Sequence, residues 1–206
     1  MFYIVLNGSG YIDYNVYHKK LTMSSIMNTS LKFINKIIDI LGNFCSLLML
    51  LMIATVFYDV IMRYFFNDVS IGMQELEWHL FAAMFMFGIA YTLKEDAHVR
   101  VDIFYDVMSA KKKAIINIFG SVVFALPITL LILYFGLDYT SEAYAMGEGS
   151  ADPGGLPHRW IVRGVIPLSS FFLVLAIFHV LLSNIQILQH NNSIESTDNT
   201  SPEGEK

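Results

Sequence analysis

The chain has 206 residues, of which 55% are hydrophobic and 15% are charged, and its net charge is −5. Soluble domains carry about 25% charged residues, so this composition indicates a protein whose main solvent is lipid. The single cysteine, Cys45, excludes an intrachain disulfide, a cysteine zinc site and a CxxC redox motif. The modest negative charge offers no basic face for nucleic acid.

Residues 1–30 are interpreted as an N-terminal segment ahead of the membrane domain. Residues 1–22 are aromatic and turn-rich and show no clear helical stripe. The stretch NTSLKFINKIIDIL after Met27 is typical of a capped helix that enters a membrane. Met1, Met23 and Met27 all stay open as the start, and this pattern favours Met23 or Met27.

Four apolar blocks follow this segment. Residues 40–58, 114–137 and 164–189 carry no formal charge and are long enough to cross a bilayer core, which needs about 20 residues. The shorter block at 78–93 needs the flank from Gly72, which places Glu75 and Glu77 at the level of the headgroups. We therefore predict an all-α integral membrane protein with four transmembrane helices in a domain at 31–189, and spans at about 37–63, 72–93, 112–137 and 164–187. The polar tail, residues 190–206, is expected to be disordered.

The distribution of lysine and arginine predicts the orientation of these spans. Nine such residues lie in the N-terminal segment and the loop between the second and third spans, and three lie in the other two loops. Because basic residues concentrate on the cytoplasmic side, both termini and the second loop are predicted to be cytoplasmic.

The second loop contains the polar stretch KEDAHVRVD, residues 94–102. Its basic residues fit the predicted cytoplasmic side and attract anionic headgroups. His98 and Asp102 are four residues apart, so on a helix they would share one polar face, while Val99 and Ile103 would lie against lipid or protein. This pattern predicts a short amphipathic connector at the cytoplasmic surface, and a solvated loop is the alternative.

The ends of the spans carry most of the remaining polar residues. Asp59 and Arg63 are four apart and can pair on one helix face, and Arg63 with Tyr64 is typical of interfacial anchoring. Glu75 lies about one turn before Trp78, where an acid complements a helix N-terminus or pairs with another subunit. Pro127 lies near the middle of the third span, where it predicts a shape feature rather than a gating hinge.

Enzymatic and ion-path chemistry has no good candidate in this sequence. GxSxG, HExxH and glycine-rich phosphate motifs are absent, and so are charged residues inside the span cores, where ion paths usually require them. His79 and His179 could ligate a haem between helices, but they are predicted to lie toward opposite membrane faces. A four-helix membrane cytochrome or quinone-linked oxidoreductase subunit is therefore the alternative function, and a standalone membrane adaptor is a third.

Three stretches carry a resemblance to a known family. RYFFNDVSIGMQELEWHLF (63–81), HVRVD (98–102) and GLPHRWIVRGVIPL (155–168) occur in the order and spacing of the small, DctQ-like membrane subunit of tripartite ATP-independent periplasmic (TRAP) transporters. The chain resembles that family over about residues 30–188. The family often has a tryptophan before a Glu-Glu-Leu motif, whereas this chain has Gly72 there and Gln74 in place of the first glutamate.

The resemblance implies a division of labour within a sodium-coupled transporter of the bacterial inner membrane. Similar proteins have four membrane helices and no known catalysis or cofactor. They associate with a large multi-span permease that carries the substrate and sodium sites, and a periplasmic binding protein delivers an organic acid. The candidate residues for contacts with a subunit or with membrane lipids are Arg63, Tyr64, Glu75, Trp78, His98, Arg100, Asp102, Trp160 and Pro167.

Overall fold

The computed structural model describes residues 14–95, 105 and 107–198, with side chains in 27–95, 105 and 107–189. Long helices make up most of these described residues. The helices are α1 (Tyr14–Phe65), α2 (Ile71–Lys94), α3 (Ala110–Gly120), a π-helical segment (Ser121–Ala125), α4 (Leu126–Ala145) and α5 (Trp160–Asp198). The third predicted span is α3, the π segment and α4 together. Within the described chain, four stretches are long and apolar enough to cross a membrane: Met27–Phe65, Ile71–Lys94, Ala110–Ala145 and Trp160–Gln189. The predicted all-α class with four spans is confirmed.

Two helices extend beyond their predicted ends. The first helix begins at Tyr14, inside the segment in which no helical stripe was recognised. The last helix continues to Asp198, whereas the polar tail is predicted to be disordered from residue 190. Residues 190–198 contain no proline or glycine, so nothing in this stretch forces the helix to end. Residues 199–206 lie outside the described residues.

The helices pack side by side, and their order in space differs from their order in the chain. The first helix packs mainly on α2, α2 packs on α5, and α5 packs on the third span. A small core joins the first three of these helices, formed by Ile38, Leu41, Leu48, Phe87, Ala90 and Ala176. In the described residues, α1 and the third span make no substantial contact with each other. Each of them therefore lies at an edge of the helix layer and, within the part of the chain that the structure describes, has an outer face without a helix packed on it.

The third span is locally widened at Pro127. The N–H of Leu126 donates to the carbonyl of Ser121, which is the five-residue spacing of a π turn. Because Pro127 has no N–H and its ring would collide with a carbonyl one turn earlier, the wider turn accommodates it. The hydroxyl of Thr129 donates to the carbonyl of Ala125 at 2.7 Å and supplies a further hydrogen bond next to this site.

Pro167 lies inside the chain rather than on a surface that another subunit could reach. It is buried, and a Cβ atom added at Gly136 of α4 would meet the Pro167 ring at 3.3 Å. The absence of a side chain at Gly136 therefore lets α4 and α5 approach closely. The contacts of Pro167 that the structure shows are made within the protein, and its place at a subunit or lipid interface stays a prediction.

Candidate functional site

Glu75 forms the most developed polar contact of the described structure. It lies one turn into α2, which begins after Ser70, whose hydroxyl accepts from the N–H of Met73 at 3.3 Å. One carboxylate oxygen of Glu75 accepts from the hydroxyl of Ser150, and the other accepts from the N–H of Leu156 at 2.6 Å. Both partners belong to the connection between α4 and α5, residues 146–159, which we call the 146–159 loop. A single side chain thus joins α2 to a loop 75 residues away along the chain.

Glycine residues give the 146–159 loop the shape that this contact requires. Gly147 has φ +61° and ends α4 with the hydrogen-bond pattern of a Schellman motif, in which the N–H of Glu148 donates to the carbonyl of Ala143. Gly154 has φ +86°, a conformation in which other residues are strained. A Cβ atom at Gly155 would lie 2.5 Å from the Cβ atom of Ser150 and 2.8 Å from a carboxylate oxygen of Glu75, so a side chain there would displace the Ser150–Glu75 contact.

A second contact joins the same loop to α5 and α4. The guanidinium of Arg163 donates to Glu148 at 2.6 Å and lies 4.0 Å from the centre of the Tyr139 ring. The N–H of Arg159 donates to the carbonyl of Glu148 at 2.9 Å. These contacts stabilise the end of the loop, so that both of its halves are attached to helices.

The other predicted site residues at this end of the protein, which we call the Glu75 end, are either packed within the chain or exposed. Asp59 and Arg63 form the ion pair that their spacing predicts, at 2.5 Å, with Asp59 almost fully buried. Trp160 is half-buried and packs edge-on against Tyr144 at 5.4 Å. Tyr64 and Trp78 are instead exposed, at 76% and 72%, as is expected for aromatic anchors at a membrane interface.

A groove of about 460 Å³ opens beside Glu75, between α2, α5 and the 146–159 loop. Its walls combine the apolar residues Ala82, Leu156 and Val162 with polar groups of Glu75, Trp78, His79, Ser150, Asp152 and Arg159. The described residues contain no cluster of three or more metal-ligating side chains, in this groove or elsewhere.

The opposite end of the helix layer, which we call the Lys94 end, is also fastened by polar contacts. The ammonium of Lys94, only 11% exposed, pairs with Asp39 of α1 and, at 2.9 Å, with Glu95. The amide of Asn117 donates to Asn184 at 3.2 Å and so joins α3 to α5. His98, Arg100 and Asp102, the candidates in the predicted connector, lie outside the described residues.

We expect loss of the Lys94–Asp39 pair to loosen α1 from α2. Asp39→Asn should lower the free energy of unfolding in detergent by about 1 kcal/mol, because Lys94 is largely buried and would lose a partner. The measurement is thermal unfolding of the purified protein. Lys36→Gln, a change of an exposed charge one turn earlier, should have no such effect, and equal losses from the two variants would contradict the expectation.

The structure does not bring the two histidines of the haem alternative together. His79 lines the groove at the Glu75 end, whereas His179 lines a cleft of about 270 Å³ at the Lys94 end, beside Lys94 and Asn184. A haem iron needs its axial ligands on the two faces of one porphyrin. These histidines therefore cannot share one haem in this fold.

Sequence reasoning named Glu75 but did not find its partners. It left open a helix N-terminus or another subunit, and the structure supplies Ser150 and Leu156 from the same chain. It also did not recognise the pairs Glu148–Arg163, Lys94–Asp39 and Asn117–Asn184. The available signal was the placement of these residues at or near a span end, which does not reveal a partner 15 to 67 residues away along the chain.

Comparison with known proteins identifies the family. The family described as "Tripartite ATP-independent periplasmic transporters, DctQ component" matches residues 52–187, more than half of the chain. The chain belongs to the DctQ family. The matched region contains the Asp59–Arg63 pair, the Glu75 contact and the whole 146–159 loop, and it confirms the resemblance carried by the sequence motifs.

A curated relative agrees with this membership. A protein of Haemophilus influenzae that is named as a TRAP transporter small permease protein is 25% identical over 150 residues, which cover 70% of this chain and 84% of the relative. Together with the four apolar helices, the family places this DctQ protein in the bacterial inner membrane as a multi-pass transporter component.

Proposed function

We propose that this DctQ protein is a non-catalytic scaffold for a large multi-span permease, which takes up an organic acid at the expense of a sodium gradient. In this proposal the large subunit carries the substrate and sodium sites, and a periplasmic binding protein delivers the substrate. The observation that carries the proposal is the placement of the polar contacts. Charged side chains pair at the span ends, as in Lys94–Asp39 and Arg63–Asp59, and the span cores carry none.

This placement favours a fixed body over a moving one. An ion or substrate path through a membrane usually exposes ionisable groups at mid-depth, and the apolar blocks of this chain contain no Asp, Glu, Lys or Arg. Contacts at the Glu75 end and at the Lys94 end each join segments that are distant in the chain. A helix layer fastened at both ends is suited to support a partner that moves.

The orientation of the protein forms part of the same proposal. The excess of lysine and arginine in the N-terminal segment and the second loop supports a cytoplasmic Lys94 end and a periplasmic Glu75 end. The groove beside Glu75 and the 146–159 loop, with Glu148 and Asp152, would then face the periplasm. That surface would be available to a periplasmic binding protein, whereas Tyr64 and Trp78 would lie at the outer headgroup level.

Deletion of the gene should abolish the uptake of one organic acid. We expect a deletion strain to lose sodium-dependent uptake of one member of a panel of labelled C4-dicarboxylates, sialic acid and other organic acids, and a plasmid copy to restore it. The tagged protein should also co-purify from mild detergent with a multi-span permease, identified by mass spectrometry. Unchanged uptake of the whole panel, together with a chain that purifies alone, would refute the scaffold function.

A further inference from the structure

The cleft at the Lys94 end, which we call the Lys113 cleft, has a lining that suits an anion. It has a volume of about 270 Å³ and lies between the last turn of α2, the first turns of α3 and the C-terminal half of α5. The charged side chains that line it are two lysines, Lys94 and Lys113, and no carboxylate of the described residues lines it. Hydroxyl and amide groups of Ser183 and Asn117 add hydrogen-bonding capacity.

The two lysines are positioned by different contacts. The ammonium of Lys94 pairs with Asp39 and Glu95, so its charge is already offset. The ammonium of Lys113 lies 4.9 Å from the centre of the Tyr105 ring, and this contact with a neutral ring holds the side chain beside the cleft. We therefore expect Lys113, rather than Lys94, to contact an anion in the cleft.

The start of α3 forms part of the same cleft. Ala110, the first residue of this helix, lines it, and the hydroxyl of the N-cap residue Ser109 makes no capping hydrogen bond. The first N–H groups of a helix have no acceptor within the helix and carry partial positive charge. A helix start of this kind binds phosphate groups readily. A phosphate in the cleft would meet these N–H groups as well as Lys113.

A buried nitrogen beside the cleft also points to a ligand. His179 lines the cleft, and its Nδ1 atom is buried without a hydrogen-bond partner in the part of the chain that the structure describes. Buried polar atoms nearly always have a partner. The neighbouring amides follow that rule, because Asn117 donates to Asn184 at 3.2 Å and to the hydroxyl of Tyr105 at 2.9 Å.

The surroundings of the cleft favour a phospholipid over a free phosphate. Lys94 and Lys113 lie at the predicted ends of two spans, which is the level of the lipid headgroups. Ile187 lines the cleft and is 42% exposed. Ile116 and Phe119, exposed at 46% and 59%, follow Lys113 along the third span toward the membrane interior. Acyl chains can cover these apolar side chains, whereas a free phosphate would leave them uncovered.

We propose that the Lys113 cleft binds the phosphate group of an anionic phospholipid. In this site the phosphate lies against Lys113 and the first turn of α3, and the acyl chains lie along Ile116 and Phe119. The bound lipid joins α3 to α5 and the end of α2. This inference does not depend on the scaffold function proposed above.

A charge change inside the cleft and one just outside it provide the test. The complete chain is purified in mild detergent and freed of lipid, and native mass spectrometry then measures its binding of added phosphatidylglycerol. Lys113→Gln should weaken binding about fivefold, which is the contribution expected of one basic residue near a membrane surface. Lys112→Gln, which changes an exposed lysine that does not line the cleft, should leave binding unchanged.

A second variant tests the place of binding without altering charge. Ser183→Leu puts a larger apolar side chain into the cleft and should also weaken binding several-fold, whereas a general attraction to basic residues would not respond to it. Phosphatidylcholine should bind at least fivefold more weakly than phosphatidylglycerol. A monodisperse elution profile for each variant shows that a loss of binding is not a loss of fold.

Four outcomes would overturn the lipid site. Equal effects of Lys113→Gln and Lys112→Gln would mean that the basic residues attract lipid without a specific cleft. Unaltered binding by Ser183→Leu would place the lipid elsewhere. Equal binding of phosphatidylcholine would show no selection for an anionic lipid. Displacement of phosphatidylglycerol by millimolar inorganic phosphate would assign the cleft to a soluble phosphate instead.

Discussion

Replacing Glu75 with alanine should release the 146–159 loop and raise the rate at which its residues react with a water-soluble reagent. The carboxylate accepts from both Ser150 and Leu156, and one of these donors is a backbone N–H that no other described group satisfies. Their joint loss detaches the middle of the loop from α2. We expect labelling of Asp152→Cys by a membrane-impermeant maleimide to become several-fold faster in the Glu75→Ala background, with Cys45 replaced by alanine.

Two variants control this experiment. Glu142→Ala removes an exposed carboxylate of α4 at the same end of the protein. Within the described residues its side chain makes no hydrogen bond or ion pair, so labelling should keep its original rate. The labelling rate in the Glu75→Gln protein should lie between the rates in the Glu75→Ala and wild-type backgrounds. The glutamine amide can still accept from the N–H of Leu156 and donate to the hydroxyl of Ser150. Equal labelling rates in the Glu75→Ala and Glu142→Ala proteins would show that the contact does not hold the loop.

The same substitution should also lower transport if the 146–159 loop receives a binding protein. In that case uptake by Glu75→Ala should fall at low concentrations of the loaded binding protein and recover as that concentration is raised. A loss of uptake that no concentration restores would indicate a damaged scaffold rather than a weakened docking surface. Measuring uptake in proteoliposomes against binding-protein concentration distinguishes the two.

Gly136→Leu should destabilise the pair formed by α4 and α5. A Cβ atom at Gly136 already meets Pro167 at 3.3 Å and Ile166 at 3.4 Å, so a larger side chain has no space between the two helices. Overpacking of this kind costs typically 1–3 kcal/mol, and we expect the free energy of unfolding in detergent to fall by about that amount. Thermal or denaturant unfolding of the purified protein measures it.

Gly120→Leu is the matched control, because it lies in the same span and a Cβ atom there has no neighbour within 4 Å. This change should be neutral or slightly stabilising, since leucine favours a helix over glycine by up to about 1 kcal/mol. A similar loss of stability from both variants would mean that the close approach of α4 and α5 at Gly136 makes no specific contribution to the free energy of unfolding.

The amino-acid sequence by itself determined the fold class and the placement of the spans. Charge-free apolar blocks of about 20 residues are long enough to cross a bilayer. They cross it as helices because, in lipid, every backbone group must be hydrogen-bonded within its own helix. The same local rules predicted the Asp59–Arg63 pair, whose residues are four apart on one helix. They do not mark the end of the last helix, which continues to Asp198, since polarity alone does not end a helix at residue 190.

Only the tertiary structure decided which span ends meet and which faces stay open. The partners of Glu75 lie 75 and 81 residues away, and those of Lys94 and Asn117 lie 55 and 67 residues away. Such pairs depend on the packing order of the helices, in which α5 lies between α2 and the third span. Hydrophobic periodicity does not encode that order in lipid, because a face toward acyl chains is as apolar as a face toward another helix. The packing order alone leaves Pro167 buried against Gly136 and the third span at the edge of the layer.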